Sequence, residues 1–79
     1  MDPKLSPLVR IETLRPNGLV LETEDHAFAT PTTIEAHCAT IRLRVRNDRG
    51  WTPTFRILRV DRDVTPWSVT DVTGIHRVN

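Results

Sequence analysis

Four side chains in this 79-residue chain are soft metal ligands or nucleophiles: His26, His37, Cys38 and His76. No Cys-x-x-Cys, His-x-x-x-His or similar spacing joins them. A zinc centre would need all four to converge from distant positions, so no metal site is expected. Cys38 follows His37, but neighbours on an extended segment point to opposite faces, which rules out a nucleophile–base pair. The cysteine reads as a small buried residue. There are three glycines, each used by a turn, and no Gly-rich phosphate loop, nucleophile elbow or paired-carboxylate motif. Neither an enzyme nor a cofactor is expected.

The chemistry left is that of arginine. Residues 41–62, IRLRVRNDRGWTPTFRILRVDR, carry seven of the ten arginines, and the whole chain has one lysine. Net charge is +1, unevenly spread: residues 12–40 hold one arginine against five acids, and residues 41–62 hold seven arginines against Asp48 and Asp61. Such a bipolar chain favours either an anionic ligand or contact between its own two signs. Guanidinium groups suit phosphate and carboxylate because their paired N–H donors match two oxygens. The candidate anion-binding residues are Arg42, Arg44, Arg46, Arg49, Arg56, Arg59 and Arg62, with Trp51 as the aromatic available for base stacking. The neutral alternative is that Asp48, Asp61, Asp63 or the acidic first half neutralises them.

The elements that would position these groups read as strands. Threonine, valine and isoleucine make up 24 of the residues, which favours β structure. From Leu8 to Arg15 and from Leu19 to Glu24 apolar and polar residues alternate around Pro16-Asn17-Gly18, a strong turn signal, so a first hairpin is expected. A three-residue loop there sets Ile11 opposite Thr23 and Arg10 opposite Glu24. Residues 25–30 read as a loop or a short strand carrying Phe28 inward. Thr32 and Glu35 match a capping box, so one or two helical turns over Thr33–Ala39 compete with an extended segment. Ile41, Leu43 and Val45 alternate with Arg42, Arg44 and Arg46, the period of a strand. A loop of Asp48-Arg49-Gly50, with Gly50 left-handed, pairs Leu43 with Phe55 and Ile41 with Ile57 and sets Arg42 against Arg56 on the polar face. The consecutive Ile57-Leu58 suggests a β-bulge. Thr65–Thr73 supplies a last strand with Trp67 and Val69 inward.

Two resemblances accompany this pattern. The run Ile34-Glu35-Ala36-His37-Cys38, followed by Thr54-Phe55-Arg56-Ile57-Leu58-Arg59-Val60-Asp61-Arg62, resembles the end of the WYL domain over residues 34–62. That resemblance implies an Sm-like or SH3-like barrel sensing nucleic-acid or nucleotide ligands, with Arg56 and Arg62 as contacts. The segment RILRVDRDVTPWSVTDVTGIHR is similar to the final hairpin of RelE/ParE-type toxins.

The expected protein is therefore mainly β, a small SH3-like or Sm-like barrel or a compact antiparallel sheet with at most one short helix. Its expected organisation is an arm over residues 1–7, one β domain over 8–74 and a tail over 75–79. The single cysteine and the lack of a long apolar run point to a cytoplasmic protein with no membrane association. The expected function is a non-enzymatic module binding an anionic partner, nucleic acid first, through the arginine-rich hairpin. The alternative is a protein-interaction module, such as a phage or viral inhibitor or a dimerising accessory protein, that uses the same face against an acidic surface or uses its edge strands.

Overall fold

The computed structural model describes residues 7–79. The expected N-terminal arm therefore lies outside the described residues except for Pro7. Along the chain run β1 (Leu8–Leu14), β2 (Val20–Ala27), α1 (Pro31–Arg49), β3 (Thr54–Asp61), β4 (Ser68–Asp71) and a short 3₁₀ turn (Thr73–Ile75). The four strands form one open antiparallel sheet in the order β2-β1-β3-β4. The helix covers one face.

This corrects the expected all-β barrel, and the error lies in one segment. Residues 41–49 are the second half of a 19-residue helix, not the first strand of an arginine hairpin. Two patterns overlap in these residues. Ile41, Leu43 and Val45 recur every second residue, but Ile34, Cys38, Ile41 and Val45 recur at the three- and four-residue spacing of a helix face. The helical set is the one that is buried, between 0% and 4% exposed, whereas Leu43 is 62% exposed. Helix formation prevails although Thr32, Thr33, Ile34, Thr40, Ile41 and Val45 are β-branched and weak helix formers. Packing of the stripe outweighs a propensity deficit of a few tenths of a kcal/mol per residue.

The ends of α1 are locally encoded. Thr30 is the N-cap: its Oγ1 accepts a hydrogen bond from the Thr33 backbone N–H at 3.2 Å, and Pro31 fills the first turn, where no N–H is needed. The start thus lies ahead of the expected Thr32–Glu35 box. Gly50 closes the helix in the left-handed conformation (φ 79°), donating its N–H to the Arg46 carbonyl at 3.1 Å. The glycine is left-handed as expected, but to end a helix rather than to bulge a hairpin.

Under the helix lie Ile11 of β1 and Phe55 and Ile57 of β3, all nearly fully buried, and Val78 from the C-terminal residues completes the cluster. Ile11 pairs with Ile57 and Thr13 with Phe55, so β1 and β3 present their apolar positions in register. No bulge occurs at Ile57-Leu58. The β1–β3 register runs unbroken, and Leu58 and Val60 simply occupy the face away from the helix. The first hairpin forms with its expected loop, Arg15 N–H donating to the Leu19 carbonyl at 2.8 Å, but a bulge next to Thr13 and Leu14 shifts the rest by one residue. Ile11 then meets Glu24 instead of Thr23, and Arg10 meets Asp25 instead of Glu24. The bulge lets Leu21 and Glu22 both face the helix, Leu21 packing against the core. Phe28, expected inward, stands 83% exposed with φ 58°, and Trp67 and Val69 are 58% and 54% exposed rather than core.

The two periodicities make opposite claims about neighbouring residues. Truncating Ile41 to Ala should cost about 2–5 kcal/mol, whereas Leu43→Ala should stay within about 0.5 kcal/mol, read from urea midpoints at constant m-value. A large loss at Leu43 would restore the strand.

Candidate functional site

The structure does not gather the expected arginines into one face. Arg42, Arg44, Arg46 and Arg49 lie on α1, Arg56 and Arg59 on β3, and Arg62 just beyond it. Most are already engaged. Arg44 pairs with Glu22 and so ties the helix to β2. Arg42 donates to the Val78 carbonyl and sits 5.5 Å from the centre of the Phe55 ring, holding the C-terminal residues against the helix. Arg56 pairs with Glu12, its direct cross-strand partner, at 3.0 Å, and Arg59 with Asp61 at 3.2 Å. The expected placement of Arg42 against Arg56 does not arise, because Arg42 is helical and β1 places Glu12 opposite Arg56. Arg62 is partly buried and also engaged. Trp51 is half-buried and packs against the core. Residues 34–38, the first segment of the WYL resemblance, are helical.

Two of the five acids of residues 12–40, Glu12 and Glu22, are therefore counter-charges of the basic second half. Arg10 and Asp25 add a further bidentate pair, at 2.8 and 3.2 Å, on the sheet face away from the helix. The hydrogen bond from Arg10 holds the Asp25 carboxyl below its ordinary value and raises Arg10 above its own. Each such pair is solvent-exposed and contributes about 0.2–1 kcal/mol. Two of the seven candidates, Arg46 and Arg49, have no ion-pair partner among the described residues. They lie in the last turn of α1, where their charge also complements the helix dipole.

Three further features stand out, none of them marked by a sequence motif. The first is the edge formed by β4. Beyond β4, the outer edge of β3 is closed by side chains. Asn79 accepts from the Phe55 N–H at 2.7 Å and donates to its carbonyl at 2.9 Å. Thr73 Oγ1 accepts from the Ile57 N–H at 2.9 Å and donates to Asp71 Oδ1 at 2.6 Å. These contacts, with the Thr73 backbone N–H, hold the Asp71 carboxyl below its ordinary value. Asn79, in the expected tail, and Thr73, in the expected last strand, thus cover backbone groups of β3. β4 itself is exposed at all four positions, and its far side has no pairing strand among the described residues.

The second feature is an open groove of about 370 Å³, lined by Val9, Ala29, Val72, Ile75 and the exposed Phe28, with Arg59 at its rim. The third is a cluster of Glu24 and His26 on β2 with His37 on α1, whose ligand atoms all lie within 4.8 Å of one another. Glu24 and His26 are two apart on one strand, so a shared face was legible. His37 joins them only because residue 37 is helical.

Cys38 does no chemistry in this setting. Burial in the core pushes its thiol up to about 11. No helix among the described residues is long and apolar enough to cross a membrane. No family model, curated protein or solved structure matches this chain.

The buried, high-pKa thiol should resist alkylation by iodoacetamide at pH 8 in the native protein and react fully in denaturant, as mass spectrometry would show. Rapid native labelling would place Cys38 outside the core.

Proposed function

We propose that this is a non-enzymatic protein-interaction module that adds a strand of a partner chain to β4, the first candidate partner being a second copy. The observation that carries this reading is the unequal treatment of the sheet's two edges. β2, at one edge, bears Glu22, Glu24 and Asp25, charges that discourage another strand from pairing. β3 has its outer backbone groups covered by Asn79 and Thr73. β4, Ser68-Val69-Thr70-Asp71, has neither device along its first three residues and exposes Val69 beside Trp67. Main-chain pairing at such an edge supplies affinity, and the flanking apolar side chains supply selectivity. Antiparallel pairing of two β4 strands about a two-fold axis would join the sheets of two copies.

Sedimentation equilibrium over a concentration series tests this. The wild-type chain should show a reversible rise above the 9.0 kDa monomer. Val69→Lys, a charge placed on an exposed edge position, should return it to monomer without changing its thermal midpoint. A wild-type monomer at every concentration would remove the self-pairing form, and association that persists in Val69→Lys would place the contact elsewhere.

A second reading, binding of nucleic acid, rests on Arg46 and Arg49. They are exposed, unpaired among the described residues and adjacent on the helix surface. Fluorescence anisotropy with a generic oligonucleotide should then show binding that weakens with salt. The double variant Arg46→Ala with Arg49→Ala should lower affinity and reduce the log–log salt slope by roughly 2. No binding at low salt, or no change in the variant, ends this reading. Arg42 and Arg44 are poor probes for it because their loss would also release Val78 and Glu22.

A further inference from the structure

The structure assigns a second site, independent of β4: Glu24, His26 and His37 form a binding site for one divalent transition metal ion, zinc first, that clamps the edge strand β2 to α1. The three side chains converge from two elements. Glu24 pairs with Ile11 and His26 with Val9 across the β1–β2 ladder, and Ile11 and Val9 face the helix, so both ligands do too. On α1, His37 lies next to the buried Cys38 and is seven residues before Arg44, two turns along the same flank. Arg44 reaches Glu22 of β2 and His37 reaches His26, so the two contacts form successive rungs between helix and strand.

The donor set defines the ligand. Two imidazole nitrogens and one carboxylate oxygen suit zinc and its neighbours, whereas calcium and magnesium take oxygen ligands. His26 Nε2 and Glu24 Oε2 are 3.2 Å apart, close to the roughly 3.3 Å separating ligand atoms on a tetrahedral zinc with bonds of about 2.0 Å. The full set lies within 4.8 Å, and the His26 and His37 rings are 4.3 Å apart, so bringing His37 onto the ion takes a side-chain movement of up to about 1.5 Å. All three residues are half-buried, which limits their freedom and leaves a fourth position for water. The neighbouring acids are committed, Glu22 to Arg44 and Asp25 to Arg10, whereas Glu24 has only His26. Glu24 is thus the carboxylate of β2 available to a cation. A bound ion would replace a hydrogen bond between two β2 residues with a link from β2 to the helix.

Titration of the full chain, stripped with EDTA and dialysed, with zinc chloride in a calorimeter tests the assignment. One equivalent should bind, and the thermal midpoint should rise by about 5–10 °C in excess zinc. His37→Gln should lose affinity by about 100-fold or more, whereas His76→Gln, which alters a histidine outside the cluster, should bind as the wild type does. Long-range ¹⁵N–¹H correlation spectra of the wild-type protein should show zinc shifting His26 and His37 but not His76, a readout that needs no variant to fold. Cobalt substitution should give visible bands without the thiolate charge-transfer absorption that Cys38 ligation would add. Absence of stoichiometric binding overturns the site. So does equal binding by His37→Gln, a zinc shift at His76, or a thiolate band.

Discussion

The stripe of Ile34, Cys38, Ile41 and Val45 on α1, seated over Ile11, Phe55 and Ile57, is the contact on which the rest of the molecule depends. A four-stranded sheet of this size has too little apolar surface to stand alone, and a single helix must supply the second layer. Because those four residues are the helix's buried set, the orientation of α1 follows. One flank, with His37 and Arg44, faces β2, and the other, with Arg42, meets Phe55 and Val78. The contacts of His37, Arg42 and Arg44 with the sheet and the C-terminal residues are then a consequence of where its apolar stripe sits. The hydrophobic term sets the geometry and the ion pairs, each worth under about 1 kcal/mol, register it.

Charge in this chain works mostly inward. Glu12, Glu22 and Asp25 come from the acidic first half, and each meets an arginine, two of them from the basic second half. Antiparallel pairing of β1 with β3 and packing of α1 on β2 bring the two halves together, so the bipolar sequence becomes a set of short cross-links. An anionic ligand would have to compete with internal acids at Arg10, Arg44, Arg56 and Arg59. Exposed backbone and exposed apolar side chains at β4 have no such competitor among the described residues, which is why the interaction reading starts from that edge. The Glu24–His26–His37 cluster has the same origin as the ion pairs: it lies where the helix flank passes over β2, and it holds the one β2 carboxylate without an arginine.

The extent to which this could be read in advance differs from segment to segment. The first hairpin was legible because Pro16-Asn17-Gly18 encodes its turn locally. Its bulge was not, because it depends on Leu21 reaching the core while Glu22 reaches Arg44. Ile11, Phe55 and Ile57 were legible as inward positions from alternation alone. Trp67, Val69 and Phe28 are exposed rather than inward, because apolar character alone does not secure burial and α1 does not cover them. Of the expected site, all seven arginines were visible by type, but the partners of Arg42, Arg44 and Arg56 were not, since each lies on an element distant in sequence.

By itself the sequence determined the local signals: the turn at Gly18, the left-handed Gly50, a helix start within two residues of its place at Thr30, and the two charge signs. Those features rest on short-range sterics and composition, which act within a few residues. Tertiary structure alone decided whether Ile41 to Arg49 is strand or helix. Ile41, Leu43 and Val45 satisfy a period of two as well as Ile34, Cys38, Ile41 and Val45 satisfy a helical one. The balance turns on which set finds apolar partners across the sheet. Ile11, Phe55 and Ile57 receive the helical set and leave Leu43 in water, and that choice scattered the arginines and brought His37 beside His26.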